Sequence, residues 1–202
     1  MVDEGSHDVN GLGQAGLPRG WVGRLLGGIM VRHNGPDAKW TIDCLDVSDG
    51  ERVLEVGFGP GHAIEMLAGI GPAVCVSGID HSETMLEAAG ARNRESVRSG
   101  RVDLRLGSVM SLPFGDASFD KACAINCIYF WEPPVEGLRE LHRVLSPGGR
   151  LAVTVRDRNR KAYQRFKPAE LERLLLQAGF ATAEIRHNGV SAHPLICAIG
   201  TK

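Results

Sequence analysis

The sequence predicts an α/β fold: a mostly parallel sheet of seven strands with helices on both faces and a final antiparallel hairpin. Three observations predict it. From Glu51 onward, short apolar runs alternate with amphipathic runs, the pattern of consecutive βαβ units. The first apolar run, Arg52 to Val56, empties into Gly57-Phe58-Gly59-Pro60-Gly61, a tight turn that joins a buried strand to a helix. The last two apolar runs are separated only by Asn188 to Pro194. That link is too short for a helical crossover, so those strands pair antiparallel.

The elements follow in order. Residues 1–20 carry repeated glycine and few large apolar side chains, and read as a flexible tail. Trp21 to Cys44 opens with Trp21, Val22, Leu25, Leu26, Ile29 and Met30 at amphipathic-helix spacing. Asn34-Gly35-Pro36 breaks it, and a second short helix covers Asp37 to Leu45. Residues 21–50 are thus an N-terminal helical lid, ahead of a ligand-binding domain over 51–202. Within that domain, strands are expected at Arg52–Val56, Ala73–Ile79, Val102–Leu106, Phe119–Ile125, Leu151–Val155, Ala181–His187 and Leu195–Gly200. Helices are expected at Gly61–Ala68, at Ser82–Val97 with Ser82 as N-cap, at Val135–Leu145 ended by Pro147-Gly148-Gly149, and at Ala169–Ala178 closed by Gly179.

Composition narrows the function classes. A chain of 202 residues, 43% apolar and 23% charged, is an ordinary globular protein with a real core, not a disordered, collagenous or coiled-coil chain. A formal net charge of -1 gives no electrostatic drive toward nucleic acid, and no nucleic-acid partner is expected. The five cysteines are odd in number and contain no C-x-x-C pair, which suits free thiols of a reducing compartment and excludes a zinc site. The acidic opening MVDEGSHDVN lacks a signal-peptide pattern, and no apolar run reaches the ~20 residues of a membrane span. A cytoplasmic location is the expectation.

The glycine turn differs from a dinucleotide fingerprint. That fingerprint is G-x-G-x-x-G, whereas here the third glycine, Gly61, comes one residue early and His62 follows it. Glu55 sits in the strand just before the turn. A carboxylate there opposes a pyrophosphate but suits a zwitterionic ligand bearing a sulfonium. At the end of the next strand Asp80 can accept both hydroxyls of a ribose, or cap the helix that begins beside Ser82.

Two further segments complete the pattern: Leu112-Pro113-Phe114-Gly115-Asp116-Ala117-Ser118-Phe119-Asp120, and LRELHRVLSPGGRL over Leu138 to Leu151. With Val53-Leu54-Glu55-Val56-Gly57-Phe58-Gly59-Pro60-Gly61 and Asp80, they stand in the order and spacing of a known family. The chain resembles a class I S-adenosylmethionine-dependent methyltransferase of the ubiquinone/menaquinone-biosynthesis-like group, the type 11 methyltransferase domain. The resemblance covers about Glu51 to Phe180. It implies a Rossmann-like fold, S-adenosyl-L-methionine as cofactor and in-line methyl transfer to a small-molecule acceptor. It also implies that Glu55 and Gly57 hold the methionyl amino end and that Gly59 and Gly61 permit close approach. Asp80 then binds the ribose, and His81 and Met85 flank the adenine. Ser108 stands where the family commonly has an aspartate for the adenine amino group; either the uncharged serine makes a weaker contact there or the Val109 backbone carries it. Asn126 lies beside the sulfonium.

The acceptor side is less specific. Asn126 and Tyr129 are the catalytic candidates; they hold the first and last positions of an N-P-P-Y frame used by some amino-group methyltransferases, with both prolines missing. Tyr129, Phe130 and Trp131 can stack on a flat acceptor or pack the following helix. None of the seven histidines has a partner visible in sequence. Arg156 to Lys167 is basic and reads as a solvated loop or a contact for an anionic substrate. No acidic cluster for a metal is visible. Two other functions stay open: a nucleotide-binding oxidoreductase, and a non-catalytic methyltransferase-like binding protein.

Overall fold

The structure, a computed structural model, describes residues 35–157, 161–189 and 194–202. The tail 1–20 and the helix expected over 21–34 lie outside them. Helix α1 covers residues 35–45. Gly35 and Pro36, expected as a break, are themselves helical. Proline's fixed φ is compatible with a helix, and its ring disturbs only the turn before it. The buried positions Asp37, Ala38, Thr41, Cys44 and Leu45 form one stripe at helical spacing.

The sheet is built from β1 (Arg52–Val56), β2 (Cys75–Asp80), β3 (Val102–Leu106), β4 (Phe119–Ile125), β5 (Leu145–Arg156), β6 (Thr182–Asn188) and β7 (Leu195–Thr201). Between them run α2 (His62–Ala68), α3 (Glu83–Arg92), α4 (Arg94–Arg98), α5 (Pro134–Val144), α6 (Lys161–Gln164) and α7 (Pro168–Ala178). The strand order is β3-β2-β1-β4-β5-β7-β6. All neighbours are parallel except β7, which is antiparallel to β5 and to β6. This is the expected seven-stranded, Rossmann-like sheet with its closing hairpin.

Two boundaries differ from the sequence reading. The single helix expected over Ser82–Val97 is divided at Asn93, whose side chain donates to the carbonyls of Gly61 and Ala89 at 3.0 and 2.9 Å. Asn93 leaves helical geometry to make that bridge, with φ -99° and ψ 23°. Pro147-Gly148-Gly149 does not precede β5 but lies inside it. The backbone of Lys202 pairs there, with Gly148 N donating to Lys202 O and Lys202 N donating to Gly149 O, so the turn is drawn into the sheet. Ser82 does cap α3, accepting from the Met85 amide.

Strand alternation splits the core into two layers. Leu54 and Val56 face Leu138, Leu141, Leu171 and Leu175 of α5 and α7. Val53 faces the other way, toward Leu45, Ile64, Leu67 and Met85 of α1, α2 and α3. The α1 seam against the sheet carries polar contacts as well. Thr41, fully buried, donates to the Asp37 carbonyl and shares a 2.7 Å hydrogen bond with the hydroxyl of Thr154 in β5. Thr41→Val removes one partner of a buried polar pair, which costs about 1–3 kcal/mol. Thermal denaturation should show a drop of roughly 2–10 °C for the variant; an unchanged midpoint contradicts the pairing.

Candidate functional site

β1 and β4 are neighbours, yet the chain leaves β1 toward α2 on one face and β4 toward α5 on the other. Such a switch point opens a crevice beyond the carboxyl ends of the two strands, and ligands of open α/β sheets bind there. The glycine turn follows β1, and Asn126 follows β4, so the residues singled out in the sequence flank this crevice from both sides.

The turn needs its glycines for stated reasons. Gly57, Gly59 and Gly61 have φ of +73°, +52° and +79°. A Cβ on Gly57 would lie 2.8 Å from Cys127 Cβ, and one on Gly61 would lie 2.7 Å from Ala89 Cβ. The first fixes the turn against the β4 loop, and the second brings α2 onto α3. The Cys127 thiol donates to the Val56 carbonyl at 3.2 Å, which ties the same two loops together.

Glu55 points to the face of α1, α2 and α3, as strand alternation from Val53 requires. Its neighbours across the sheet are Gly78 and Cys123. Gly78 is forced, since a Cβ there would sit 2.7 Å from Phe58 and 2.9 Å from Leu104. Glu55 is only 3% exposed, and its Oε2 is buried with no partner. Burial first, and then the charge of Asp80, push its carboxyl up to about 8, while a hydrogen bond from the Ile64 amide pulls the other way. The carboxyl is therefore mostly protonated at neutral pH until a positive charge arrives.

Asp80 ends β2 on the same face. Its Oδ2 accepts from the Gly59 amide and its Oδ1 from the Ser82 amide, each at 2.9 Å. The carboxylate thus staples the glycine turn to the start of α3. An ionised carboxylate has about four acceptor positions, so each oxygen keeps one for a ligand. The capping role and the ligand role are compatible. His81 is half exposed at the rim, with Nδ1 3.8 Å from Asp80 Oδ1.

Across the crevice, Asn126 has a left-handed backbone, φ +54°, and its amide donates to the Thr154 carbonyl at 2.9 Å. Its Nδ2 donates to Asp37 Oδ2 at 2.8 Å, while Oδ1 is buried without a partner. The same Asp37 oxygen accepts from Arg156 Nε at 2.7 Å, and both side chains are almost wholly buried. The sequence reading missed this pair. In the sequence Arg156 opens a basic run that reads as a solvated loop or an anion contact, and Asp37 is one residue of a short helix. The available signal was the acid itself, standing at i and i+4 with Thr41 on a buried stripe, where a carboxylate requires a cation.

Tyr129 is buried next to this cluster. Its ring packs against Tyr163 and Phe166, with centroids 4.6 and 5.6 Å away, and its hydroxyl accepts from the Arg156 amide at 2.8 Å. Burial pushes that phenol far above its ordinary value. Trp131 is buried against Gly137 of α5, which leaves Phe130 as the exposed member of the aromatic trio.

A methyltransferase domain model matches residues 54–153. The chain is 31% identical over 181 residues to the uncharacterized methyltransferase YdaC of Bacillus subtilis, covering 88% of this chain and 98% of that protein. The chain belongs to the class I S-adenosylmethionine-dependent methyltransferases. It is also 32% identical over 141 residues to the ubiquinone/menaquinone biosynthesis C-methyltransferase UbiE of a Geobacter species, covering 64% of this chain. There it spans only 60% of the relative's length. The fold matches that of a SAM-dependent methyltransferase from Aquifex aeolicus, with TM-score 0.66, 22% identity, and coverage of 81% of this chain and 89% of that one.

The remaining expected residues lie in different surroundings. Ser108 is exposed past β3, its hydroxyl accepting from the Met110 amide at 3.2 Å, and Val109 is buried beside Gly137. Met85 is 2% exposed within the α2–α3 core layer. Of the basic segment, Lys167 pairs with Asp157, and Arg165 lies 3.6 Å from Glu132. Residues 158–160, with Arg158 and Arg160, are outside the described set. So are His33 and His193. Among the described residues no group of three or more His, Cys, Asp or Glu could hold a metal, and no helix is long and apolar enough to cross a membrane.

The donor set fits the cofactor. Glu55 Oε2 and Asn126 Oδ1 are buried without a hydrogen-bond partner, and a Cβ at Gly59 would meet nothing within 4 Å, so the middle of the turn has room for a close ligand. The Glu55 carboxyl also has a stability consequence. Its folded value near 8 lies above the ordinary 4.5, so the bound proton favours folding. That contribution is complete below the unfolded value and is lost as pH rises through the folded one. Glu55→Gln stays neutral at every pH. In cofactor-free protein, its melting temperature should exceed the wild type's by a margin that grows from about pH 5 to about pH 8.5. A margin independent of pH contradicts the assignment.

Proposed function

We propose that the chain transfers the methyl group of S-adenosylmethionine to a small-molecule acceptor by in-line displacement. The observation that carries this reading is the buried, partnerless Oε2 of Glu55 beside the stapled Asp80 carboxylate. A buried carboxyl before the glycine turn, ready to ionise when a cation arrives, suits a cationic amino acid moiety and not a pyrophosphate, which disfavours a dinucleotide oxidoreductase. When bound, S-adenosylmethionine supplies an electrophilic methyl group on a positive sulfur.

The chain's own residues bind and orient. Glu55 and the Gly57 carbonyl hold the amino end, and Asp80 holds the ribose through its two remaining acceptor positions. His81 and the Ser108–Val109 segment border the adenine. Asn126 faces the reacting end. No proton relay is assigned to Tyr129, because its phenol stays protonated and is bound to the Arg156 amide. Catalysis then rests on positioning and on exclusion of water, which a methyl transfer permits. Helix α1 meets the crevice through Asp37, which accepts from the Asn126 side chain.

Isothermal titration with S-adenosylmethionine and with S-adenosylhomocysteine tests the reading. Both should bind, and Asp80→Ala should weaken both by about tenfold or more, since a hydrogen bond to a charged group is lost. A folded wild-type protein that binds neither ligand overturns it.

A further inference from the structure

Asp37 stands outside every motif of the family resemblance, yet its carboxylate is the one partner of the Asn126 amide nitrogen among the described contacts. Three facts bear on what that contact does. Arg156 Nε sits 2.7 Å from the same Asp37 oxygen, so the carboxylate is held in place by a buried cation. The Thr41 hydroxyl donates to the Asp37 carbonyl, so the backbone of that turn is held as well. Asn126 is itself fixed by its left-handed backbone and its bond to the Thr154 carbonyl.

Chemistry then decides which way the amide faces. A carboxylate paired to arginine only accepts hydrogen bonds, so it must meet the NH2 end of Asn126. Turning the amide over would set Oδ1 against a carboxylate oxygen. The carbonyl end is therefore driven away from Asp37, and it ends buried with no partner. It does so one residue before Cys127, whose thiol bonds to Val56 and whose Cβ bars any side chain at Gly57. Asn126 thus stands at the carboxyl end of β4, next to the residue that touches the glycine turn. A preorganised carbonyl dipole in a dry site favours positive charge in front of it.

We infer that Asp37 is a positioning residue that aims the Asn126 carbonyl at the cofactor's sulfonium. The inference rests on the proposed function for the identity of the ligand. It goes beyond that function in assigning the α1 helix a role in telling the charged methyl donor from its neutral product. The neutral thioether left after transfer carries no charge for that dipole, so the clasp favours exchange of product for donor.

The test is the ratio of two affinities measured by isothermal titration on the full chain. The probes are S-adenosylmethionine and S-adenosylhomocysteine. Asn126→Gly keeps the left-handed backbone and deletes the amide. It should lower the preference for the charged ligand by about tenfold, the scale of one hydrogen bond to a charged group. Asp37→Ala should lower it in the same direction. Asp37→Asn, which keeps the shape and loses the charge, should fall between that variant and wild type, and it serves alone if the alanine variant does not fold. A merely structural role would weaken both ligands equally. Equal weakening in Asn126→Gly, or a wild-type ratio in the Asp37 variants, overturns the inference. Wild-type protein that binds neither ligand overturns the proposed function instead.

Discussion

Two carboxylates buried on one face of adjacent strands constrain the rest of the molecule. Asp80 is satisfied by the amides of Gly59 and Ser82, and through them it sets the distance between the glycine turn and the start of α3. Glu55 has the Ile64 amide on one side and nothing at Oε2. Burying a second acid beside the first is unfavourable unless one of them holds a proton or a cation is present. Gly78, beside Glu55 across the sheet, lets the Phe58 ring and Leu104 approach closely. In the proposed function, a positive ligand supplies the partner that Glu55 Oε2 lacks.

The second constraint is the seam of α1. Asp37, Thr41 and Cys44 lie along one face of the helix, and they meet Arg156, Thr154 and Cys197 of the sheet. Thr154 and Cys197 are themselves paired across β5 and β7. The seam thus joins an ion pair, a hydroxyl pair and a thiol pair. The bond to Cys197, with Arg186 close by, pulls the Cys44 thiol below its ordinary value. A contact of this kind depends on direction more than on area, so it places the helix in one register. That register brings Asp37 to the end of β4, where the site needs it.

The parts of this arrangement that could be read from sequence are those carried by local patterns. Strand and helix order, the closing hairpin, the cap at Ser82, and the placing of Glu55, Asp80 and Asn126 at strand ends all follow from periodicity and turn residues. What escaped depends on contacts far apart in sequence. Asn93 interrupts a helix to hold Gly61, and Pro147-Gly148-Gly149 joins the sheet because Lys202 pairs with it. Arg156 resembled its basic neighbours, yet Asp37, more than a hundred residues earlier, makes it a buried group. Tyr129 pairs with Asn126 in the sequence as the last and first positions of an N-P-P-Y frame. The short helical turn at Ile128–Phe130 directs its ring into the core instead.

In the proposed function, the Glu55 carboxyl gives up its proton when the cation of the methyl donor binds. Calorimetry of S-adenosylmethionine binding at about pH 7, run in two buffers of different ionisation enthalpy, counts the protons exchanged. A carboxyl with a value near 8 that ionises on binding should release most of one proton, and Glu55→Gln should release correspondingly less. Equal proton counts for the two proteins, with binding intact, would contradict the account.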